Sequence, residues 1–130
     1  MTRQFRKHYT VEEARALMPK IREHLGELNH LHDRVSKADQ RFTQLHSAGC
    51  DLGGASVNEW IRDLIRMRQL LYWFQSQEIQ IKDLARGLID FPSIMAGREV
   101  FLCWEQDEDD IEFWHDLETG FAGRERLPEA

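Results

Sequence analysis

The residues with the clearest potential for chemistry are two carboxylates and a histidine in the C-terminal half of the chain, Asp83, Asp90 and His115. They lie in segments that alternate polar and apolar residues, a pattern typical of β-strands. A carboxylate bonded to an imidazole fixes its tautomer, raises its pKa and forms a common acid–base unit. The sequence therefore predicts a pair between Asp90 and His115, with Asp83 as a second carboxylate that could orient the histidine.

Other arrangements of these residue types remain open. A histidine or a carboxylate bonded to backbone groups in a small core would have no catalytic role. Only i, i+3 or i, i+4 spacing places two metal ligands on one helix face; His30 with Asp33 meets it, and no pair of the histidines His24, His30, His32 and His46 does. The acidic run 105–110 lacks the spacing and the glycine of a calcium loop. Cys103 lies in an apolar run, where an inert buried thiol is expected.

Two helices should position these residues. Thr10 and Glu13 form a capping box, so a helix should begin at Val11. Pro19 should interrupt it, ending a short first helix near Leu17 or Met18 and opening a longer one. The longer helix carries a heptad-like apolar seam that favours packing along a partner helix. The members of this seam are Ile21, Leu28, Leu31, Val35, Ala38, Phe42 and Leu45.

A glycine-rich loop, Ser47–Gly54, should separate this helix from a second one. Ser56 and Glu59 form another capping box, which predicts a helix from Val57 to about Gln77. Its apolar residues form one stripe with a second apolar flank, so it should touch both the first helix and a sheet. The short loop makes the two helices an antiparallel hairpin.

From Glu78 the apolar period changes to two, which predicts four strands joined by short connections in an antiparallel meander. These strands are Ile79–Asp83, Gly87–Phe91, Arg98–Glu105 and Ile111–Asp116. We expect Asp83 to pair near Leu88, Pro92 near Arg98, and Asp110 opposite Glu105. With this register, Asp90 shares a face with Val100, Leu102, Trp104 and, across Val100, His115, whereas a one-residue shift in the last turn would send His115 to the opposite face.

The predicted fold class is α+β: a long antiparallel helical hairpin packed on a small four-stranded antiparallel β-meander. We expect a single domain over residues 1–130, with the hairpin at 10–78, the meander at 79–116 and an irregular tail at 117–130. Both faces of the sheet carry apolar residues, so both need cover. The helices should cover one face, and the tail or a second subunit the other.

Composition narrows the functional classes. The 130 residues carry a net charge of −6 without a basic stripe, which argues against nucleic acid as a partner. No apolar run is long enough for a membrane span. The two cysteines, Cys50 and Cys103, have no export signal before them, so we expect a soluble cytoplasmic protein with reduced thiols.

A series of short motifs in the C-terminal half resembles an uncharacterised bacterial family, domain of unknown function 2203. The motifs are Lys82-Asp83, Gly87–Pro92, Gly97-Arg98, Leu102–Trp104, Trp114–Asp116 and Gly120–Arg124. Near the N-terminus, Tyr9–Ala14 and Leu17–Pro19 are similar to the family's opening. The family usually has Gly-Glu where this chain has Asp107-Glu108.

The resemblance implies a bacterial protein without an assigned activity, and it singles out polar motif positions that could build a ligand site. These positions are Lys82, Asp83, Asp90, Arg98, Glu108, His115 and Arg124. Arginines favour a carboxylate or phosphate group.

We therefore expect a non-enzymatic, self-associating module, a homodimer or larger oligomer, with a site on the sheet for a small anionic ligand or a peptide. We expect no cofactor and no resident metal. The alternative is a hydrolase- or lyase-type enzyme that uses His115 with Asp90 or Asp83, or a metal-assisted variant that adds Glu108.

Overall fold

The computed structural model describes residues 3–49 and 54–128. Helix α1 spans Val11–Ser47 and begins at the predicted capping box. The Glu13 N–H donates to Thr10 Oγ1 at 3.1 Å, and the Thr10 N–H donates to Glu13 Oε1 at 3.0 Å. The predicted loop after α1 lies largely outside the described residues, as does Cys50.

Helix α1 runs through Pro19 without ending, so the predicted break near Met18 is wrong. Pro19 lies on the exposed side of α1. Water can therefore bond the Arg15 carbonyl, which loses its helical donor. Met18 and Ile21, on the other side, pack into the same core, and this packing outweighs the local cost of the proline.

Helix α2 spans Ala55–Ser76 and runs antiparallel to α1. It begins after Gly54, whose φ of 92° turns the chain, so the predicted start at Val57 with a Ser56 cap is wrong. Glu59, the other half of that predicted cap, instead pairs with Arg34 of α1. Arg34 also bonds Asp63 at 2.8 Å, so ion pairs across the hairpin replace the local cap.

The sheet contains five antiparallel strands in the order β1 to β5, which confirms the α+β class but adds one strand to the predicted four. The fifth strand lies in the segment predicted to be an irregular tail, after a short 3₁₀ turn at Phe121–Gly123. The strands are β1 Gln80–Asp83, β2 Leu88–Met95, β3 Arg98–Trp104, β4 Phe113–Asp116 and β5 Glu125–Arg126.

The predicted register of β2 on β3 is wrong by three residues. Pro92 pairs with Phe101 instead of Arg98, because β2 continues to Met95 and the chain turns at Ala96 and Gly97. Pro92 can lie within a strand because its carbonyl faces the N-terminal segment, where it accepts from the Tyr9 N–H at 2.8 Å. The proline nitrogen faces that same side, so no bond to β3 is lost.

The predicted register of β3 on β4 is wrong by one residue, since His115 pairs with Phe101 rather than Val100. Each error alone would send His115 to the other face of the sheet from Asp90. Together they cancel, so the two residues share a face. Their neighbours on it are Phe101 and Cys103, not Val100 and Leu102.

The hydrophobic core lies between the helices and the opposite face of the sheet. It is formed by Tyr9, Ala14, Met18, Ile21, Leu25, Leu28, Leu31, Leu70, Phe74, Ile79, Ile89, Phe91, Leu102, Trp104 and Ile111. The last buried residue of α1 is Val35, and those of α2 are Leu70 and Phe74. The part of the hairpin beyond these residues, which we call the arm, joins α2 to α1 through contacts such as Trp60 against Phe42. Neither α1 nor α2 combines the length and the apolar composition that a membrane crossing requires.

The turn between β1 and β2 packs closely against Gln106, and a substitution at Gly87 tests this contact. Gly87 has φ 62°, and a Cβ there would lie 2.6 Å from Gln106 Cβ. We expect Gly87→Ala to lower the free energy of unfolding by roughly 2–4 kcal/mol, from the left-handed backbone and the overlap together. Urea denaturation measures the change.

Gly26→Ala is the matched control, because Gly26 lies within α1 and a Cβ there would meet nothing within 4 Å. This substitution should raise stability by roughly 0.5–1 kcal/mol through helix propensity. Equal effects of the two substitutions would contradict the described turn.

Candidate functional site

Asp90 of β2 and His115 of β4 meet on the sheet face that is turned away from the helices. His115 Nε2 lies 3.0 Å from Asp90 Oδ2, and His115 Nδ1 lies 2.7 Å from the backbone oxygen of Asp116. Both side chains are buried, with 2% of His115 and 4% of Asp90 exposed. The predicted pairing of these two residues is therefore present.

Both ring nitrogens of His115 face oxygen atoms. The Asp116 carbonyl can only accept, so Nδ1 carries a hydrogen. The bond to Asp90 requires a second hydrogen between Nε2 and Oδ2. When that hydrogen is on Nε2 the pair is an imidazolium and a carboxylate, the form that a raised pKa of His115 favours. Burial, the largest single influence, disfavours the charged ring. The bonds to Asp90 and Asp116, with the charge of Asp90, outweigh it and raise the pKa of His115.

A buried thiol completes this group. Cys103 pairs with Asp90 across β2 and β3, and ligand atoms of Asp90, Cys103 and His115 lie within 4.8 Å of one another. Asp90 Oδ1 is buried and has no hydrogen-bond partner among the described residues. Burial, followed by the charge of Asp90, raises the pKa of the Cys103 thiol to about 12.

Arg124 and Glu108 form an ion pair beside Cys103. Arg124 Nη2 lies 2.8 Å from Glu108 Oε2, and Arg124 Nη1 lies 4.0 Å from Cys103 Sγ. The guanidinium stacks on two aromatic rings, 3.9 Å from the centroid of Phe113 and 4.2 Å from that of Phe121. Glu108 also accepts the Glu105 N–H at 2.8 Å, so the acidic turn is built around this carboxylate.

Two chain segments cover this face. Phe5 packs edge to face on Phe101 with ring centroids 5.4 Å apart. The segment Leu117–Phe121 covers the other end and leaves a cavity of about 240 Å³, bordered by Asp90, His115 and Lys82. The expected cover by the C-terminal tail is therefore present, together with an N-terminal segment that was not predicted. A larger cavity, about 530 Å³, lies between the start of α1 and β5 and touches none of the predicted site residues.

The predicted site residues divide into separate groups. Lys82 borders the cavity beside Asp90 and His115, with its ammonium 5.4 Å from the Phe101 ring centroid. Glu108 and Arg124 lie on the other side of Cys103. The remaining two lie apart from these groups: Arg98 pairs with Asp116 at 3.0 Å, and the Asp83 carboxylate accepts the Arg86 N–H in the turn after β1.

Cys103 is the residue whose position sequence reasoning missed. It was expected to be an inert thiol, and the assumed register placed it on the face opposite to Asp90. The signal was Ala96-Gly97, which can form a two-residue turn that pairs Met95 with Arg98 and Asp90 with Cys103; treating 92–97 as the turn obscured it. Asp33, which has the helical spacing to bind a metal ion together with His30, instead pairs with Lys37 at 3.0 Å.

These features define an α+β protein with a helical hairpin on one face of a five-stranded meander and a buried Asp–His–Cys group on the other. The chain belongs to the uncharacterised conserved proteins of domain of unknown function 2203 (DUF2203), which matches residues 7–127. No curated protein and no solved structure matches the chain. The resemblance inferred from the short motifs is thus confirmed; the bacterial origin stays an expectation.

The ion pair between Asp90 and His115 should be costly to break. Asp90→Asn leaves the buried histidine without its counter-charge, and we expect a loss of roughly 3–5 kcal/mol in the free energy of unfolding. The control is Arg98→Gln, which breaks an exposed pair on the same sheet and should cost about 0–1 kcal/mol. Denaturant unfolding at neutral pH measures both, and similar losses would contradict the buried pair.

Glu99 holds the N-terminal segment at the edge of this face. Its carboxylate accepts from the N–H groups of Gln4 at 2.6 Å and Phe5 at 3.0 Å, and it lies 2.9 Å from His8 Nε2. These bonds, with that of Gln4 foremost, lower the pKa of Glu99 to about 2.

The lowered pKa predicts a pH dependence of stability. The contribution of Glu99 should be fully present above its ordinary pKa of 4.5 and should disappear as the pH falls to about 2. Glu99→Gln should therefore be less stable than the natural protein at about pH 5 and equally stable near pH 2. Unfolding midpoints across this range measure the difference. Glu23→Gln, at an exposed position of α1, is the control; a deficit of Glu99→Gln that stays constant with pH would refute the role of these bonds.

Proposed function

We propose that this protein is a non-enzymatic module that associates with a second copy of itself through α2. The observation that carries this proposal is a stripe of exposed apolar side chains along that helix. The α2 stripe consists of Ile61, Leu64, Ile65, Leu71 and Tyr72, which are between 37% and 68% exposed. Apolar patches of a few hundred Å² on soluble proteins mark interaction sites.

Three residues of the α2 stripe lie on the side of α2 that is turned away from α1: Ile61, Ile65 and Tyr72. The α1-facing side is identified by three contacts: Asp63 with Arg34, Arg66 with Glu27 at 2.6 Å, and Trp60 against Phe42. At 100° per residue, Ile61, Ile65 and Tyr72 lie roughly opposite that side, and Leu64 and Leu71 lie at its edge. The second apolar flank of α2 was expected to meet the sheet; its residues Leu70 and Trp73 pack with the core, whereas Ile61 and Ile65 are exposed.

Two properties favour a second copy as the occupant. Leu64 and Ile65 follow Ile61 at three and four residues, and Leu71 and Tyr72 follow Leu64 and Ile65 at seven, the spacing with which helices pack along one another. The α2 stripe also has bulky groups at both ends, so a two-fold axis near its midpoint pairs Ile61 with Tyr72 of the second copy. Such an isologous contact aligns two hairpins as a four-helix bundle, a common way of burying an arm with no other layer to cover it.

The bonds of His115 support a non-enzymatic module over an acid–base enzyme, because Asp116 and Asp90 engage both ring nitrogens and leave neither for a substrate proton. A small anionic ligand or a peptide at the 240 Å³ cavity remains a proposal, with Lys82 as its cation. Arg98 and Arg124, expected to bind the anion, are each engaged by a carboxylate. A cytoplasmic location is also a proposal, supported by cysteine usage alone.

Ile65→Glu tests self-association. Ile65 lies near the middle of the α2 stripe and is 53% exposed, so a carboxylate there should leave the fold intact. In a dimer it would be desolvated against apolar groups, and we expect the dissociation constant to rise at least tenfold, about 1.4 kcal/mol. Sedimentation velocity over a range of protein concentrations measures the change.

Ile94→Glu is the matched control, since it introduces the same charge at an isoleucine of β2 that is 38% exposed. It should sediment like the natural protein. A natural protein that stays monomeric at the highest concentrations, or an Ile65→Glu variant that still dimerises, would overturn the proposal. Retention of a different protein by the α2 stripe, with no homodimer, would identify a hetero-partner instead and equally reject a second copy.

A further inference from the structure

We propose that Asp90, Cys103 and His115 form a binding site for a divalent transition metal ion, with zinc as the best-fitting class. This departs from the sequence expectation of no resident metal. It rests on the positions of the three side chains, on one unpartnered oxygen of Asp90 and on the orientation of His115, and it is independent of self-association.

The geometry is close to that of a tetrahedral centre. The three ligand atoms lie within 4.8 Å of one another. Two ligand atoms bound to one zinc ion are separated by about 3.3–3.8 Å, given bond lengths near 2.0–2.3 Å. The 3.0 Å between His115 Nε2 and Asp90 Oδ2 is slightly shorter than this range, and the 4.8 Å limit for the three atoms is slightly longer, so modest rotations of Cys103 and Asp90 would complete the set.

The unpartnered oxygen of Asp90 points to a missing ligand. Oδ1 is buried and has no hydrogen bond to any of the described residues, and the Asp90 side chain is too deeply buried for bulk water to supply one. A buried carboxylate oxygen without a partner is costly, and a cation bound between Asp90 and Cys103 would satisfy it.

The orientation of His115 agrees with a role as metal ligand. Its Nδ1–H donates to the Asp116 carbonyl at 2.7 Å, and metal-binding histidines commonly use their second nitrogen in this way. This bond directs Nε2 toward Asp90 and Cys103. With a metal bound, Nε2 offers a lone pair to the ion, and the ring is neutral.

Charge balance also favours a divalent ion. A thiolate and a carboxylate together carry two negative charges, which neutralise a divalent cation in a buried site. Binding releases the thiol proton of Cys103 and the Nε2 proton of His115 to solvent. Arg124, beside Cys103 Sγ, stabilises the thiolate, and Glu108 balances the charge of Arg124. A thiolate ligand favours zinc or cobalt over magnesium or calcium.

Three protein ligands leave a fourth coordination position open. Asp90 and His115 border the 240 Å³ cavity, so water or a small ligand in that cavity could occupy this position. Lys82, at the same cavity, supplies a positive charge suited to an anionic ligand.

The test uses the full, untagged chain carrying Cys50→Ser, so that Cys103 is its one thiol. After treatment with a chelator, the protein is titrated with Co²⁺ as a spectroscopic probe. We expect one Co²⁺ per chain with thiolate-to-metal charge-transfer absorption, and a higher unfolding temperature in the presence of Zn²⁺. Asp90→Asn and His115→Gln should each weaken binding at least tenfold. His30→Gln, at an exposed histidine of α1, should leave it unchanged.

Absence of stoichiometric Co²⁺ and Zn²⁺ binding would overturn the proposal, as would bound Co²⁺ without charge-transfer absorption. Cys103→Ser should abolish that absorption. If Cys103→Ser fails to fold, X-ray absorption of the cobalt-loaded Cys50→Ser protein decides the matter: one sulfur neighbour supports the site, and none rejects it.

Discussion

The hydrogen-bonding requirement of the His115 ring constrains the rest of the sheet. With an oxygen atom at each nitrogen, the ring keeps both of its contacts only if a second hydrogen, or a bound ion, lies between Nε2 and Asp90. That contact requires Asp90, which belongs to a different strand. Because β3 lies between them, the two residues meet only when both of its registers are correct. A one-residue slip on either side would carry a polar group into the apolar layer beneath the helices, so the pair and the pairing of three strands depend on each other.

Local signals were sufficient for the helical hairpin and for the order of the strands, and insufficient where distant contacts competed with them. The capping box at Thr10 and the apolar periodicity located α1, because both act within a few residues. Pro19 and Pro92 were read as interruptions, which is their local preference. In the folded chain Pro19 faces solvent, and Pro92 receives a bond from Tyr9, 83 positions earlier in the chain. A contact of that range cannot be read from the residues beside a proline.

The prediction of the candidate site was correct in its principal pair for reasons that were partly wrong. Two register errors of odd length compensated, so Asp90 and His115 remained on one face while their neighbours changed. For the same reason Cys103 was placed on the wrong face. Arg98 and Arg124 were grouped with the pair because motif residues suggest a common site, yet each has a carboxylate nearer to it. Which carboxylate an arginine meets depends on side-chain positions that period and spacing do not determine.

The arm of the hairpin has a consequence for how this chain can change over evolutionary time. Helix α1 is about 55 Å long at 1.5 Å per residue, and its buried residues end at Val35. Substitutions beyond that point alter helix-to-helix contacts and the outer surface of α2, but they do not touch the layer that orients Asp90 and His115. The two ends of the molecule can therefore diverge separately. Relatives could change the outer surface of the arm while they keep the buried polar group, or lose that group while they keep the arm.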